Sequence, residues 1–137
     1  MRIYPYLFFN GNASEAMQFY QQVLGGELQI SPFADMPDFD QAFKPEDAHR
    51  VMNAQLTFPD GVLMASDGCP SEPVGPMDGF SVALEFPGPD EAAQVFERLG
   101  EGGSVIMPWA PTFWAAGFGM FKDKFGVMWI VSGGIVQ

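Results

Sequence analysis

The sequence contains a single histidine, His49, and histidine is the residue type that most often serves as a general base near neutral pH. Two acids just before it, Glu46 and Asp47, could orient the ring for proton transfer. The alternative is structural: a partly exposed histidine that follows a loop at the start of a predicted strand, His49–Phe58. His49 is therefore the one catalytic candidate, and both interpretations stay open.

Two further chemically interesting side chains stand in one turn-like stretch, Asp67-Gly68-Cys69-Pro70. The Asp67 carboxylate could anchor a cationic or hydroxylated ligand, or it could cap the turn, which is a common role of aspartate. Cys69 is the only cysteine, and the residues beside it offer no base or cation to activate its thiol. We interpret it as a spectator. A lone cysteine also forms no internal disulfide, which favours a reduced, cytoplasmic protein.

Large aromatic residues cluster in a segment that proline and glycine interrupt, between two predicted strands. Aromatic side chains on such loops often form the apolar wall of a small-molecule pocket. They could equally fill a cavity or make a dimer contact, because Trp and Phe are enriched at interfaces. We favour the pocket wall. The residues are Trp109, Phe113, Trp114 and Phe118.

Length and composition limit the function classes. A chain of 137 residues suits one ordinary domain, and a hydrophobic content of 47% supplies ample core. Six basic and 17 acidic residues give a formal charge of −11, which disfavours nucleic acid as a partner and suits a cationic ligand. No apolar stretch approaches the roughly 20 residues that cross a bilayer. The apolar run Ile3–Phe9 is too short for a signal peptide.

The sequence reads as two copies of one unit. The segment that begins at Ser14 aligns with the one that begins at Asp90, and Gly61 aligns with Gly126 in a second block. The offsets are 76 and 65 positions, so the first copy carries 11 extra residues, which we place in the polar stretch Ser31–Asp47. We expect one domain with module one at 1–68 and module two at 79–137.

Each copy is predicted to contain a strand, a helix and further strands. Asn12 and Glu15 form a capping-box pattern at the start of the first helix. Pro89, preset for a first helical position, begins the second. The predicted strands are Ile3–Phe9, Glu27–Ile30, His49–Phe58, Val62–Asp67, Phe80–Phe86, Ser104–Met107, Phe118–Lys122 and Val127–Ser132.

Alternation along the strands separates two faces of the predicted sheet, because successive side chains point to opposite sides. In Met52–Phe58 and Phe80–Phe86 the even positions are apolar and should pack against the helices. The odd positions, which include Gln55 and Ser81, are small or polar and should face water, a cavity or a partner. Two such units predict an α+β fold: two paired βαβββ modules that form a curved mixed sheet with the helices outside.

This organisation and several motifs resemble the vicinal oxygen chelate superfamily (glyoxalase/bleomycin resistance protein/dioxygenase), and its PhnB-like branch most of all. The matching segments span nearly the whole chain and are Pro5-Tyr6-Leu7-Phe8-Phe9, Glu15-Ala16, Phe19-Tyr20, Leu24-Gly25-Gly26, Leu63-Met64-Ala65-Ser66-Asp67, Thr112-Phe113-Trp114 and Asp123-Lys124-Phe125-Gly126-Val127-Met128-Trp129. The resemblance implies a homodimer. The branch is sometimes titled after a demethylubiquinone methyltransferase, but no glycine-rich loop for S-adenosylmethionine follows a predicted strand here.

Metal-dependent members of the superfamily hold a divalent cation with His or Glu side chains from the first and last strands of each module. The resemblance carries these positions onto Pro5, Ala65, Ser81 and Ile130. Pro, Ala and Ile supply no lone pair, and a lone Ser hydroxyl is a poor ligand for Zn²⁺, Ni²⁺ or Fe²⁺. We therefore expect no metal site and no cofactor.

Three functions remain open. The favoured one is a metal-free small-molecule-binding protein whose ligand is unassigned and, given the acidic charge, could be cationic. The second is an enzyme of the superfamily, of lyase or dioxygenase type, with a relocated or metal-free active site that uses His49 or Asp67. The third is a dimeric interaction protein. The predicted ligand-binding residues are Gln55, Asp67, Ser81, Trp109, Phe113 and Trp114.

Overall fold

The computed structural model describes residues 1–136, which divide into two compact units. The first unit comprises Met1–Gly75 and the second begins at Pro76. Each has its own mixed four-stranded sheet and its own main helix. The predicted α+β class with two βαβββ modules is confirmed.

The first unit contains four strands, one long helix and a short helical insertion. The strand order is β1-β4-β3-β2, with β1 parallel to β4 and the other pairs antiparallel. Between β2 and β3 the chain makes a short helix α2, Phe39–Ala42, with a 3₁₀ turn on each side. The other bounds are β1 Tyr6–Phe8, α1 Ala13–Leu24, β2 Glu27–Pro32, β3 Val51–Phe58 and β4 Gly61–Ser66.

The second unit repeats this arrangement without the insertion. Its strand order is β5-β8-β7-β6, again with one parallel pair, β5 and β8. The bounds are β5 Val82–Phe86, α3 Pro89–Leu99, β6 Ser104–Ala110, β7 Ala115–Lys122 and β8 Met128–Ile135. Within residues 1–136, no helix is both long enough and apolar enough to cross a membrane.

Each helix covers one face of its own sheet. In the first unit Met17 of α1 is fully buried, and α1 contacts β2, β3 and β4, whose inward residues include Leu56 and Ala65. In the second unit Leu99 of α3 and Trp129 of β8 are fully buried. Burying a side chain such as Met17 or Leu56 contributes about 1.5–3 kcal/mol to stability. The opposite face of each sheet points away from the main helix of its own unit, and we call these the first open face and the second open face.

The start of α1 is capped by a residue distant in sequence, so the predicted capping box is wrong. The Asn12 side chain makes no cap hydrogen bond. Instead, Asp67 Oδ1 accepts the backbone N–H of Gly11 and of Ala13, both at 2.9 Å. A buried carboxylate beside a helix N-terminus satisfies two donors and complements the helix dipole.

The strand registers show that the offsets of 76 and 65 do not hold through the strands. The inward pair Leu7 and Ala65 corresponds to an inward pair such as Leu84 and Val131, which lies 77 and 66 positions further on. One connection and one turn differ in length. Phe9 precedes α1 by four positions whereas Phe86 precedes α3 by three. The inward partners Ala54 and Ala65 are 11 positions apart whereas Gly119 and Val131 are 12 apart, so the β7–β8 hairpin is one residue longer between these pairs.

This shift changes which residues stand at the metal-ligand positions of the first unit, where the superfamily resemblance had placed Pro5 and Ala65. Ala65 is fully buried on the helix side of the first sheet. Its neighbour Met64 lies on the first open face beside Tyr6. In the second unit Ile130 does lie on the open face, paired with Ala83, and Ser81 precedes β5 by one residue.

Candidate functional site

The first open face carries a cross-strand row of side chains that can bind a small molecule. Gln29, Gln55, Met64 and Tyr6 are direct neighbours from β2 across to β1. Asn53 stands two positions before Gln55 on the same face of β3. Alternation along the strands therefore sets polar groups, a thioether and an aromatic ring side by side.

A hydrogen-bonded relay connects three of these side chains. Gln55 Nε2 donates to Asn53 Oδ1 at 3.2 Å, and Asn53 Nδ2 donates to Tyr6 Oη at 3.0 Å. The Tyr6 hydroxyl uses its oxygen as acceptor in this relay and keeps its own proton to donate. The Gln55 carbonyl keeps its acceptor capacity. The relay thus presents one donor and one acceptor to a ligand.

Aromatic side chains border the relay. The rings of Tyr6 and Phe8 stack with centroids 5.1 Å apart. Both rings are well exposed, at 41% and 46%. A half-exposed stacked pair beside a polar relay is suited to a ligand that is flat and apolar on one side and hydrogen-bonding on the other.

Of the predicted ligand-binding residues, Gln55 lies in this relay, and Ser81 is half-buried ahead of β5 in the other unit. Asp67 has a different environment. It is 2% exposed, Oδ1 accepts two backbone N–H groups, and Oδ2 accepts the N–H of Val51 at 2.8 Å. Its carboxylate therefore anchors the backbone.

The predicted aromatic cluster divides between the two sides of the second sheet. Trp109 belongs to β6 and packs against Phe96 of α3, with centroids 5.5 Å apart, on the helix side. Phe113 and Trp114 precede β7, and Trp114 packs edge-on against Phe118 at 5.3 Å. Phe118 pairs with Ser132 and so faces the second open face. Phe113 is 90% exposed.

The candidate base His49 is exposed in a turn before β3. The prediction that β3 begins at His49 is wrong, because the strand begins at Val51. The neighbouring Arg50 donates from Nη2 to the backbone carbonyl of Asp67 at 2.7 Å. Cys69 is exposed, with its thiol 3.1 Å from the Ser71 hydroxyl.

The residues at the open-face positions do not fit a divalent metal ion. Tyr6 and Met64 occupy the first face, and Ala83 and Ile130 occupy the second. Thioether, phenol and alkyl groups are a poor ligand set for Zn²⁺, Ni²⁺ or Fe²⁺. Across residues 1–136, no three His, Cys, Asp or Glu side chains are grouped so that they could share an ion. We derive no chemistry through a metal.

Comparison with known proteins assigns the family. The family model described as 3-demethylubiquinone-9 3-methyltransferase matches residues 1–132. The chain belongs to this family. A solved structure titled as a putative 3-demethylubiquinone-9 3-methyltransferase, PhnB protein, from Bacillus cereus superimposes with a TM-score of 0.74 at 26% identity, covering 98% of this chain and 100% of the other. The predicted PhnB-like membership is confirmed.

Two further solved structures extend the comparison. Protein PA1353 from Pseudomonas aeruginosa is 46% identical, with a TM-score of 0.87 and coverage of 98% of both chains. A glyoxalase/bleomycin resistance protein from Albidiferax ferrireducens T118 has a TM-score of 0.61 over 96% of this chain and 97% of the other. Its 13% identity shows the fold alone. The PhnB-like chain therefore has the glyoxalase/bleomycin-resistance fold.

The sequence analysis missed Tyr6 and Phe8 as site residues of this PhnB-like protein. They belong to a run of large side chains that resembles a buried strand, and composition alone does not show which of them face outward. The signal was present in Asn53 and Gln55, whose polar alternation marks an open face. Only the pairing of β1 with β4 and of β4 with β3 brings Tyr6 to that face.

Proposed function

We propose that this PhnB-like protein binds a small molecule without a metal ion, and that the first open face is its binding surface. The observation that carries the proposal is the Gln55–Asn53–Tyr6 relay beside the stacked rings of Tyr6 and Phe8. The fold is one that binds small molecules, and the first open face holds side chains that can bind a ligand through hydrogen bonds and stacking.

The relay defines the ligand chemistry. A suitable ligand carries a hydrogen-bond acceptor for the Tyr6 hydroxyl and a donor for the Gln55 carbonyl, next to a planar apolar group that stacks on the rings. A primary aromatic amide has this arrangement. The formal charge of −11 favours approach of neutral or cationic molecules over anions.

Benzamide tests the proposal, with Tyr6→Phe and Tyr4→Phe as matched variants. Both substitutions remove one phenolic oxygen from an exposed ring, but only Tyr6 belongs to the relay, since Tyr4 contacts Arg2. We expect benzamide to shift the NMR signals of the Asn53 and Gln55 side-chain amides. Tyr6→Phe should weaken binding about fivefold, as expected for one hydrogen bond of about 1 kcal/mol. Equal affinity of the two variants for benzamide would show that the relay does not take part in binding.

A second comparison separates stacking from hydrogen bonding. Cyclohexanecarboxamide keeps the amide of benzamide and lacks the flat ring. We expect it to bind more weakly to the wild-type protein, because stacking on Phe8 and Tyr6 requires a planar face. Phe8→Leu should reduce that difference, because only the Tyr6 ring then remains for stacking.

We also propose that the protein is a cytoplasmic homodimer. Exposed apolar side chains outside the proposed ligand site, such as Phe113 at 90%, Ile106 at 47% and Phe80 at 44%, support a second copy, because apolar surface of this kind marks interfaces. The exposed, unpaired thiol of Cys69 suits a reducing compartment. Analytical ultracentrifugation should give twice the monomer mass, and Phe113→Ser should shift the population toward monomer if this loop lies in the interface.

We do not propose the activities that the family description and the enzyme hypothesis would suggest. The two connections from a strand to a main helix, residues 9–12 and 87–88, contain one glycine each and form no glycine-rich phosphate loop. Of the two acid–base candidates, His49 is exposed in a turn and Asp67 is engaged by backbone donors.

A further inference from the structure

A groove opens on the helix side of the second sheet, between α3 and strands β6 and β7. Its volume is about 390 Å³, which lies within the range of small-molecule sites, roughly 300–1,000 Å³. It belongs wholly to the second unit and shares no residue with the first open face. The residues that line it are Ala93, Phe96, Glu97, Gly100, Val105, Trp109 and Phe121.

Three aromatic rings form a fixed wall of this groove. Phe96 packs against Trp109 at 5.5 Å and edge-on against Phe121 at 5.2 Å. The two β7 glycines opposite these rings let them lie directly on the strand. A Cβ at Gly117 would stand 2.2 Å from the Trp109 ring, and one at Gly119 would stand 2.4 Å from Phe96. The wall is therefore in place before any ligand arrives.

Glu97 is the only charged residue among those that line the groove. It is exposed on α3, one position after Phe96, so its carboxylate stands at the rim next to the aromatic wall. Aromatic ring faces attract organic cations, and a carboxylate beside them adds a charge partner. The combination favours organic cations over anions and gives little to a neutral molecule beyond apolar contact.

We propose that this groove is a second ligand site, and that it binds a planar aromatic molecule that carries an ammonium group. The aromatic part stacks against Trp109 and Phe96, and the ammonium lies at the rim against Glu97. The site depends on α3, β6 and β7 only, so it is independent of the function proposed for the first open face.

Three matched probes test the charge requirement: 1-naphthylmethylammonium, the neutral 1-naphthylmethanol and the anionic 1-naphthylacetate. The expected order of affinity is ammonium over alcohol by about fivefold, and alcohol over acetate by a similar factor. The readout is the indole Nε1–H NMR signal of Trp109, assigned with Trp109→Phe, together with calorimetric titration. Equal binding of all three probes would overturn the proposal, as would a shift confined to the Trp114 signal.

Glu97→Gln and Glu91→Gln form the matched pair of variants, since both acids are exposed on α3 and only Glu97 lines the groove. Glu97→Gln should lower the affinity for the ammonium probe about fivefold and leave the alcohol unchanged, whereas Glu91→Gln should change neither. Equal effects of the two variants would show general surface attraction and contradict the proposal.

Filling the groove provides a test that does not depend on charge. Ala93 is half-exposed on α3 and lines the groove, and leucine is well tolerated in helices. Ala93→Leu should abolish binding of both the ammonium and the alcohol while the far-UV circular dichroism spectrum stays unchanged. Retained binding in a folded Ala93→Leu protein would overturn the site.

Discussion

The carboxylate of Asp67 and the backbone N–H of Ala13 are separated by 54 positions in sequence and by 2.9 Å in the folded protein. Through its other oxygen the same carboxylate holds the N–H of Val51 at the start of β3. One buried side chain therefore joins the end of β4, the start of α1 and the start of β3. The role of Asp67 is therefore to connect three segments of the first unit, and the residues next to it in sequence do not reveal this role.

Asp67→Asn should destabilise the protein by about 3 kcal/mol, because an amide N–H₂ replaces an acceptor that faces backbone donors in a buried place. Chemical denaturation with urea, followed by circular dichroism, measures the change. Asp40→Asn is the control, since that carboxylate is exposed on α2, and its cost should stay within about 0.5 kcal/mol. Similar costs for the two variants would contradict the anchoring role.

A comparable arrangement in the second unit predicts energetic coupling between Asp123 and Trp129. Asp123 is 3% exposed, and its Oδ2 accepts the indole Nε1–H of Trp129 at 2.9 Å. Asp123→Ala removes that acceptor, and Trp129→Phe removes the donor. A double-mutant cycle by urea unfolding should give a coupling energy of about 1–2 kcal/mol. Strict additivity of the two single variants would refute the link.

Gly117→Ala should destabilise the second unit by about 1–3 kcal/mol, the usual cost of overpacking. The added methyl group would stand 2.2 Å from the ring of Trp109, so the ring or the strand would have to shift. Thermal unfolding and the Trp109 NMR signal measure the effect. Gly75→Ala is the control, since a Cβ there meets no atom within 4 Å. An unperturbed Trp109 signal in Gly117→Ala would show that the ring does not lie on the strand.

Metal ions should not change the stability of this protein. Zn²⁺ or Ni²⁺ in excess should leave the Tm unaltered. An ion that did bind the folded protein would raise the free energy of unfolding by about 2.7 kcal/mol at a free concentration of 100 times its Kd. A double variant with Tyr6→His and Met64→His provides the positive control, because these residues are cross-strand neighbours on one face. Elemental analysis that found one transition-metal ion per wild-type chain would contradict the expectation.

The internal repeat could be read from the sequence, but the register inside it could not. Helix starts gave the offset of 76, which holds at Ala13 and Pro89. Turn glycines gave the offset of 65, which fails in the strand residues aligned with it, because Met64 lies on an open face and Trp129 is fully buried. Between those points one residue is inserted in the β1–α1 connection and one in the β7–β8 turn. Because side chains alternate along a strand, a shift of one position exchanges the two faces. Ala65 was therefore assigned to the wrong face, and Met64 occupies the open one.

The aromatic residues show a similar division. Their abundance around Trp109 and Trp114 was evident from the sequence, and a single cluster was the simplest prediction. Strand β6 runs as far as Ala110, further than predicted, and carries Trp109 to the helix side. Trp114 lies in the following loop and packs toward Phe118. The aromatic residues predicted as one cluster therefore divide between the two sides of the second sheet.

The sequence by itself determined the α+β class, the two βαβββ units and the family resemblance, because periodicity, turn glycines and ordered motifs are local properties of the chain. Which side chains meet was decided by the tertiary structure alone. Strand pairing brought Tyr6 into line with Met64 and Gln55. The parallel pairing of β4 with β1 brought Asp67, at the end of β4, next to the start of α1. These contacts depend on the strand register and on the lengths of the loops. Composition and hydrophobic pattern do not reveal a change of one residue in the register or in a loop.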